Sequence, residues 1–212
     1  MKTLLIAAFL LTILSSNAQE GAKQIFEVPN LKEALLKHKI VAILPFETGI
    51  SFKRPPKDFD PVANKEDEKK LSRDLQNEMF TFLLRKKNNY TVDFQDPDKT
   101  NTLLRKAGLI AKINETGIDS LAKILGVDAI IKCSYSYEKT SSEGAAIAKT
   151  ILFGGLGSKT GSGKLVMQIK NGLDGELLWR FSKDMDDGVF SSASELMNRM
   201  MRKVSRNFPY EK

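Results

Sequence analysis

Residues 40–46 read Ile-Val-Ala-Ile-Leu-Pro-Phe, an uninterrupted apolar run that ends with Pro45 and Phe46. A strand with one face in water alternates apolar and polar residues, but this run has no polar position. It therefore predicts a strand buried on both faces, which is typical of sheets covered by helices on each side.

Helices and strands alternate along the sequence on both sides of this run. The predicted segments are a helix at 31–37, the strand at 40–46, a loop at 47–65, a helix at 66–87 with an apolar stripe, a strand at 90–94, a helix capped by Asp98 or Thr100, a helix from Thr116 to Gly126 and a strand from Val127 to Tyr137. Such alternation predicts an α/β fold with a mixed sheet between helical layers.

The C-terminal third has a different pattern. Residues 165–169 and 177–181 flank a turn at 171–175, which predicts a β-hairpin, and a last helix is expected from Ser191 or Ser192. The expected organisation is a signal peptide at 1–18, a leader and helix at 19–37, and a single three-layer-like domain at 38–212, with the hairpin and helix at its C-terminal end.

The N-terminus has the three parts of a secretory signal. Lys2 supplies a positive charge, residues 4–14 are apolar, and Ser16 and Ala18 are the small residues that a signal peptidase requires. We expect cleavage between Ala18 and Gln19. The apolar run is shorter than the roughly 20 residues of a membrane-spanning helix, and no cysteine follows it, so we do not expect a lipoprotein.

Charge and cysteine content narrow the function classes. The net charge is +7, but basic and acidic residues are interspersed, and no basic patch alternates with aromatic residues as in single-strand binders. We therefore expect no nucleic-acid partner. Cys133, the single cysteine, lies in an apolar run and is expected to be buried.

Two short motifs invite a catalytic interpretation. Asp96-Pro97-Asp98-Lys99-Thr100 matches the DxDxT pattern of phosphatases that form an aspartyl-phosphate, with Asp186 and Asp187 as possible magnesium ligands. The alternative is a polar turn that caps a helix, and we favour it. The stretch Gly161-Ser162-Gly163-Lys164 lacks both the earlier glycine and the following hydroxyl of a phosphate-binding loop, and a turn that enters a strand fits it better.

Other catalytic and metal sites lack the required residues. His38, the single histidine, stands between two lysines and is expected at a solvated helix end. With one histidine and one cysteine, the sequence lacks the ligands for a zinc-type site built from histidine and cysteine side chains. We therefore predict no catalytic residue, no metal ion and no cofactor. Trp179 is expected in the core rather than at a sugar-binding surface.

Two apolar segments are candidates for a binding surface. Phe52 and Phe59 lie in the predicted loop, where they either form a binding lip or fix the loop to the core. The glycine-rich stretch at 145–157 could contact a membrane, mediate self-association or fold onto the body. Its candidate contact residues are Ile147, Ile151, Leu152, Phe153 and Leu156.

Three segments together carry a family resemblance: residues 41–46, the stretch Leu125-Gly126-Val127-Asp128-Ala129-Ile130-Ile131, and residues 174–179, which read Asp-Gly-Glu-Leu-Leu-Trp. Over residues 38–206 their order resembles a superfamily of bacterial envelope proteins. It includes the curli-secretion channel lipoprotein, lipoprotein activators of penicillin-binding proteins and the N-terminal domain of the Tol-Pal propeller protein. The resemblance implies a mixed α/β sheet, no catalysis, and binding to envelope proteins or ring assembly. This chain departs from the lipoprotein members in lacking the modified cysteine.

The combined expectation is an exported, non-catalytic adaptor in the periplasm or at the outer membrane, with an envelope protein as partner. Peripheral membrane contact and homo-oligomerisation are further possibilities. Two alternatives remain open, a membrane-associated oligomeric secretion component that uses the 145–157 segment and the DxDxT-type phosphatase.

Overall fold

The computed structural model describes residues 23–139, 161–185 and 193–212. Its seven strands are β1 (Gln24–Glu27), β2 (Ile40–Ile43), β3 (Glu47–Phe52), β4 (Asp93–Phe94), β5 (Ala129–Lys139), β6 (Gly161–Asn171) and β7 (Leu177–Met185). They form one sheet in the order β1-β7-β6-β5-β2-β4, with β3 also paired to β5. The pairs β2–β4, β2–β5 and β3–β5 are parallel, and the remaining pairs are antiparallel. The predicted mixed α/β sheet is confirmed.

Helices cover both faces of this sheet. They are α1 (Leu31–Leu35), α2 (Pro61–Arg85), α3 (Pro97–Lys106), α4 (Ile118–Leu125) and α5 (Ala193–Val204), with 3-10 turns at Lys87–Asn89, Ile110–Lys112 and Ser205–Asn207. Helices α1, α2 and α5 pack on one face in a large apolar core. Helices α3 and α4 pack on the other face in a smaller cluster around Ala42, Leu44 and Ile130. Strand β2 is shorter than the predicted 40–46, since it ends at Ile43, but its residues after Ile40 are buried on both faces, as the sequence indicated.

Several helix signals act as expected. The stripe of α2 is buried on the core, and its members are Leu71, Leu75, Met79, Phe82 and Leu83. Helix α4 ends at Gly126, whose φ of 66° lies in the left-handed region that glycine adopts without strain. Trp179 and Cys133 are 1% exposed and belong to the large core, so both were predicted correctly.

The loop predicted at 47–65 is wrong at both of its ends. Residues 47–52 form β3, which continues beside β5 where β2 stops, and Pro45 lies in the short break between the two strands. Pro61 lies in the segment predicted as a loop, yet it occupies the first turn of α2. A proline is tolerated there because the first helical N–H groups have no partner within the helix. Asp60 caps this end by accepting hydrogen bonds from the backbone N–H groups of Val62 and Ala63.

Two other segments differ from their sequence patterns. Gln24–Glu27, expected in a polar leader, form β1 and pair with β7. The strand expected at 90–94 is reduced to Asp93–Phe94, because Tyr90 instead bridges to Glu211 near the C-terminus. Both differences arise from pairing with residues distant in sequence, which a local pattern does not register.

Glu68 joins the edge strand β3 to helix α2. Its Oε1 accepts a hydrogen bond from the Ile50 backbone N–H at 2.8 Å, and its Oε2 lies 2.9 Å from Lys65 Nζ. The Thr48 hydroxyl donates to the Glu68 carbonyl at 2.7 Å. The Glu68 carboxylate thus satisfies a backbone group on the side of β3 that faces away from β5.

We expect Glu68→Ala to lower the free energy of unfolding by about 1–3 kcal/mol, because the Ile50 N–H loses its acceptor. Chemical denaturation measures this loss. The control is Glu66→Ala in the same helix, whose carboxylate pairs with Lys69 but is 65% exposed, so that we expect a much smaller change. Equal effects of the two substitutions would contradict the assigned role of Glu68.

Candidate interaction surface

Strand β5 presents two chemically different faces. Cys133, Tyr135 and Tyr137 point into the large core with α2 and α5. On the other face, Ile130 is the one β5 residue that joins the apolar cluster with α3 and α4. Because side chains alternate along a strand, the residues that follow Ile130 on its face are Lys132, Ser134, Ser136 and Glu138. The second face of the sheet therefore changes from apolar to polar beyond α3 and α4.

One line of residues crosses this polar area on four neighbouring strands. Lys132 on β5 pairs with Gln168 on β6, Gln168 with Arg180 on β7, and Arg180 with Phe26 on β1. We call Lys132, Gln168, Arg180 and Phe26 the cationic row. The first three side chains are half-buried, and Phe26 is 49% exposed. The row thus joins two cations, an amide and an exposed aromatic ring.

The cations of the row have no carboxylate partner. The described side-chain ion pairs include those on α2 and the pair between Lys87 and Asp93, and neither Lys132 nor Arg180 forms one. Lys164 and Lys170 of β6 lie on the same face and form no side-chain ion pair among the described residues either, although the register places Lys164 opposite Asp184. This face therefore carries several unpaired cations, and two of them belong to the row.

Two shallow cavities adjoin the polar face. One, of about 260 Å³, is lined by polar residues of β3, β5, β6 and β7, among them Ser51, Ser136, Lys164 and Asp184. The other, of about 160 Å³, lies beside Lys132 under the turn at Ile110–Lys112 and includes Glu47 and Asn114. In the described ranges no group of three His, Cys, Asp or Glu side chains could hold a metal ion. The charged and polar side chains of this surface can form ion pairs and hydrogen bonds with a partner.

The predicted aromatic lip is partly assembled. The rings of Phe52 and Phe59 meet edge to face with centroids 5.3 Å apart. Phe52 is half-buried, and Lys139 Nζ lies 5.8 Å from its ring centroid. Phe59 remains 37% exposed. The other predicted contact residues, Ile147, Ile151, Leu152, Phe153 and Leu156, lie outside the described residues.

Asp96 is used by its own helix. It is the N-cap of α3, and its carboxylate accepts the Asp98 backbone N–H at 2.7 Å. The cap was expected at Asp98 or Thr100, so that detail of the prediction is wrong. Thr100 is buried and donates to Gln95 Oε1 at 2.9 Å. The motif follows β4 at the edge of the sheet, and the Asp96 carboxylate and the Thr100 hydroxyl both have structural hydrogen bonds. Asp186 and Asp187 lie outside the described residues.

The stretch Gly161–Lys164 lies within β6 and forms no phosphate-binding loop. Gly163 pairs with Tyr137 in the β5–β6 register, and the side chain of Tyr135 lies over it, so that a Cβ at this position would lie 2.7 Å from the Tyr135 hydroxyl. Glycine is therefore required by the tyrosine ring that lies against it. The expected turn before the strand is replaced by strand structure from Gly161 onward.

His38 does not lie at a solvated helix end, so this prediction is wrong. The ring is 6% exposed, and Nδ1 lies 2.8 Å from the hydroxyl of the fully buried Tyr210. Burial lowers the pKa of His38, while a hydrogen bond with the Asn171 side chain and the charge of Asp128 oppose this shift. Burial also raises the pKa of Asp128, but this is outweighed by the backbone N–H groups of Ile40 and Lys39, so the net pKa is lowered. The cluster fixes the C-terminal segment to the start of β2.

The cationic row was missed at the sequence level. The alternation of Lys132, Ser134, Ser136 and Glu138 with the apolar residues between them marks one polar face of a strand. That pattern could have identified a sheet with one face partly exposed to solvent. The contribution of Phe26 could not be foreseen, because it depends on the pairing of β1 with β7.

The comparisons with known proteins add only remote likenesses. No protein-family model and no curated protein sequence matches the chain. Among solved structures, lipoprotein GNA1162 from Neisseria meningitidis is 12% identical with a TM-score of 0.44, and the match covers 79% of this chain and 96% of that one. A PelC dodecamer from Paraburkholderia phytofirmans is 9% identical with a TM-score of 0.37, covering 90% and 96%.

The C-terminal domain of LpoB from Salmonella enterica is 10% identical with a TM-score of 0.35, covering 75% of this chain and 94% of that one. All three TM-scores are below 0.5, so these likenesses establish neither a family nor a function for this chain. The resemblance to the envelope superfamily stays a prediction from its motifs.

Asp96→Ala should lower the free energy of unfolding by about 1 kcal/mol, whereas Asp96→Asn should cost much less, because asparagine also caps helices. Urea denaturation of both variants measures the difference. A nucleophile would behave otherwise, since asparagine cannot form an aspartyl-phosphate. Magnesium-dependent phosphate release from p-nitrophenyl phosphate that disappears in Asp96→Asn would contradict the cap as the role of this residue.

The stability of the protein should fall as the pH drops below the ordinary histidine pKa of 6.5. The folded-state pKa of His38 is lowered, so the unfolded chain binds a proton that the folded chain resists, and the contribution is full only above 6.5. Urea denaturation between about pH 8 and pH 5 measures the slope.

In the His38→Gln variant, the loss of stability between about pH 8 and pH 5 that arises from the histidine should disappear. Tyr210→Phe is the control, because it removes the hydrogen bond but leaves the imidazole buried, so the pH slope should persist at a lower overall stability. Coincident slopes for the wild type and His38→Gln would contradict the prediction.

Proposed function

We propose that this chain is an exported, non-catalytic protein of the cell envelope that acts as a binding or assembly adaptor in the periplasm or at the outer membrane. The observation that carries the proposal is the polar sheet face with its cationic row, which the described helices leave available for a partner. Residues 1–18 have the positive charge, the apolar run and the small residues of a secretory signal, and this pattern supports export.

The polar groups that suggested catalysis support the same proposal. Asp96 caps α3, Thr100 bonds Gln95, and His38 bonds Tyr210 inside the protein. Burial raises the pKa of the Cys133 thiol, which keeps it protonated and unreactive. These groups stabilise the fold, whereas Lys132 and Arg180 form no ion pair within the part of the chain that the structure describes.

A membrane-associated oligomeric secretion component is the second candidate. It is favoured by the apolar, glycine-rich sequence at 145–157, which lies outside the described residues. In the described part of the chain, no helix has the length and apolarity needed to cross a membrane. The two candidates differ in whether high salt releases the protein from the membrane.

Envelope fractionation of the native host tests the proposal. We expect the mature protein, with Gln19 as its first residue by mass spectrometry, to be soluble or to leave the membrane pellet in high salt, because salt screens surface charge. As a control, a variant lacking residues 145–157 should fractionate in the same way.

Retention in the pellet through high salt, lost on deletion of 145–157, would favour the secretion component instead. An uncleaved protein in the cytoplasm would contradict export altogether. Light scattering of the purified mature protein measures the oligomeric state in the same preparation.

A further inference from the structure

We propose that the cationic row binds an acidic, extended segment of a partner protein, with carboxylates on Lys132 and Arg180 and an apolar side chain on Phe26. The inference rests on the proposed binding role and specifies the partner's chemistry. The row spans three inter-strand steps, about 14 Å, which matches a few residues of extended chain.

The charge of the row determines the partner's charge. Lys132 and Arg180 are half-buried and form no side-chain ion pair among the described residues, although Glu47 lines the same cavity as Lys132. An apolar partner that covered them would leave two desolvated charges without compensation, which is strongly unfavourable. A partner that places carboxylates there gains charge-assisted hydrogen bonds instead, and the Arg180 guanidinium can bind a carboxylate through two parallel bonds.

Gln168 and Phe26 make the row more selective among acidic segments than its positive charge alone would. Gln168 lies between the two cations and offers both amide donors and an amide acceptor to a backbone or side chain. Phe26 sits beside Arg180 on the edge strand with half of its surface exposed. Arginine and aromatic residues are enriched among the residues that dominate protein–protein binding energies.

The shape of the surface favours a narrow segment over a lipid bilayer. Lys132 lines the cavity of about 160 Å³ under Ile110, Ala111 and Asn114, so this end of the row is recessed. A planar layer of headgroups cannot enter such a recess, whereas a single extended chain can.

The test is an NMR titration of isotope-labelled mature protein with a short peptide of glutamate and glycine that has one central phenylalanine. We expect shift changes concentrated in β1, β5, β6 and β7 around the row. Arg180→Gln should weaken binding at least about tenfold, as expected for loss of a charge-assisted contact with a carboxylate. Lys132→Gln is the second variant and should weaken binding in the same direction.

Arg73→Gln is the matched control, because Arg73 is exposed on α2, on the opposite side of the sheet. It removes the same charge and should leave affinity unchanged. Replacing the phenylalanine of the peptide by glycine should reduce affinity for the wild type but not for Phe26→Ala. Folding of each variant is verified by its thermal transition.

Three outcomes would overturn the proposal: equal weakening by Arg73→Gln and Arg180→Gln, shift changes scattered over the surface lysines, or an absence of binding. Binding to phosphatidylglycerol vesicles through the row, without peptide binding, would also overturn it and indicate membrane contact. The titration uses purified protein, so its failure leaves export and localisation to the fractionation experiment.

Discussion

The structure depends on the side-chain alternation of β5. This strand is the only one in the described sheet that pairs with three others, lying between β6 on one side and β2 and β3 on the other. Cys133 and Tyr135 fill the core under α2 and α5, and the residues between them point to the opposite face. A one-residue shift of its register would exchange these two sets and bury charged side chains in the core.

The same alternation produces both the stable core and the candidate surface. Helices α3 and α4 reach only as far as Ile130 on the second face, so Lys132 and the residues after it are not covered by them. The antiparallel pairs then place Gln168, Arg180 and Phe26 in line with Lys132. A surface assembled in this way is rigid, because each of its members is fixed by strand pairing, and rigid placement lowers the entropy cost of binding.

Polar residues inside the protein illustrate why single motifs are weak evidence for chemistry. Gln76 donates to the Ile43 carbonyl at 2.7 Å and exchanges hydrogen bonds with Asn101, which joins α2 and α3 to the end of β2. His38 and Tyr210 join the C-terminal segment to the same strand. Buried polar groups of this kind stabilise one particular arrangement when each has a partner. In isolation, the same residue types suggest catalytic sites.

Local patterns in the sequence determined the elements with strong periodicity. The apolar run at 40–46, the stripe of α2, the stop at Gly126 and the hairpin at 165–181 are all found where those patterns place them, because each depends on near neighbours in the chain. Tertiary structure alone decided β1, β3, the short β4 and the burial of His38, because each requires a partner distant in sequence: β7, β5, the C-terminal segment and Tyr210. The cationic row belongs to this second group. Its four residues span positions 26 to 180, and only the strand register makes them neighbours.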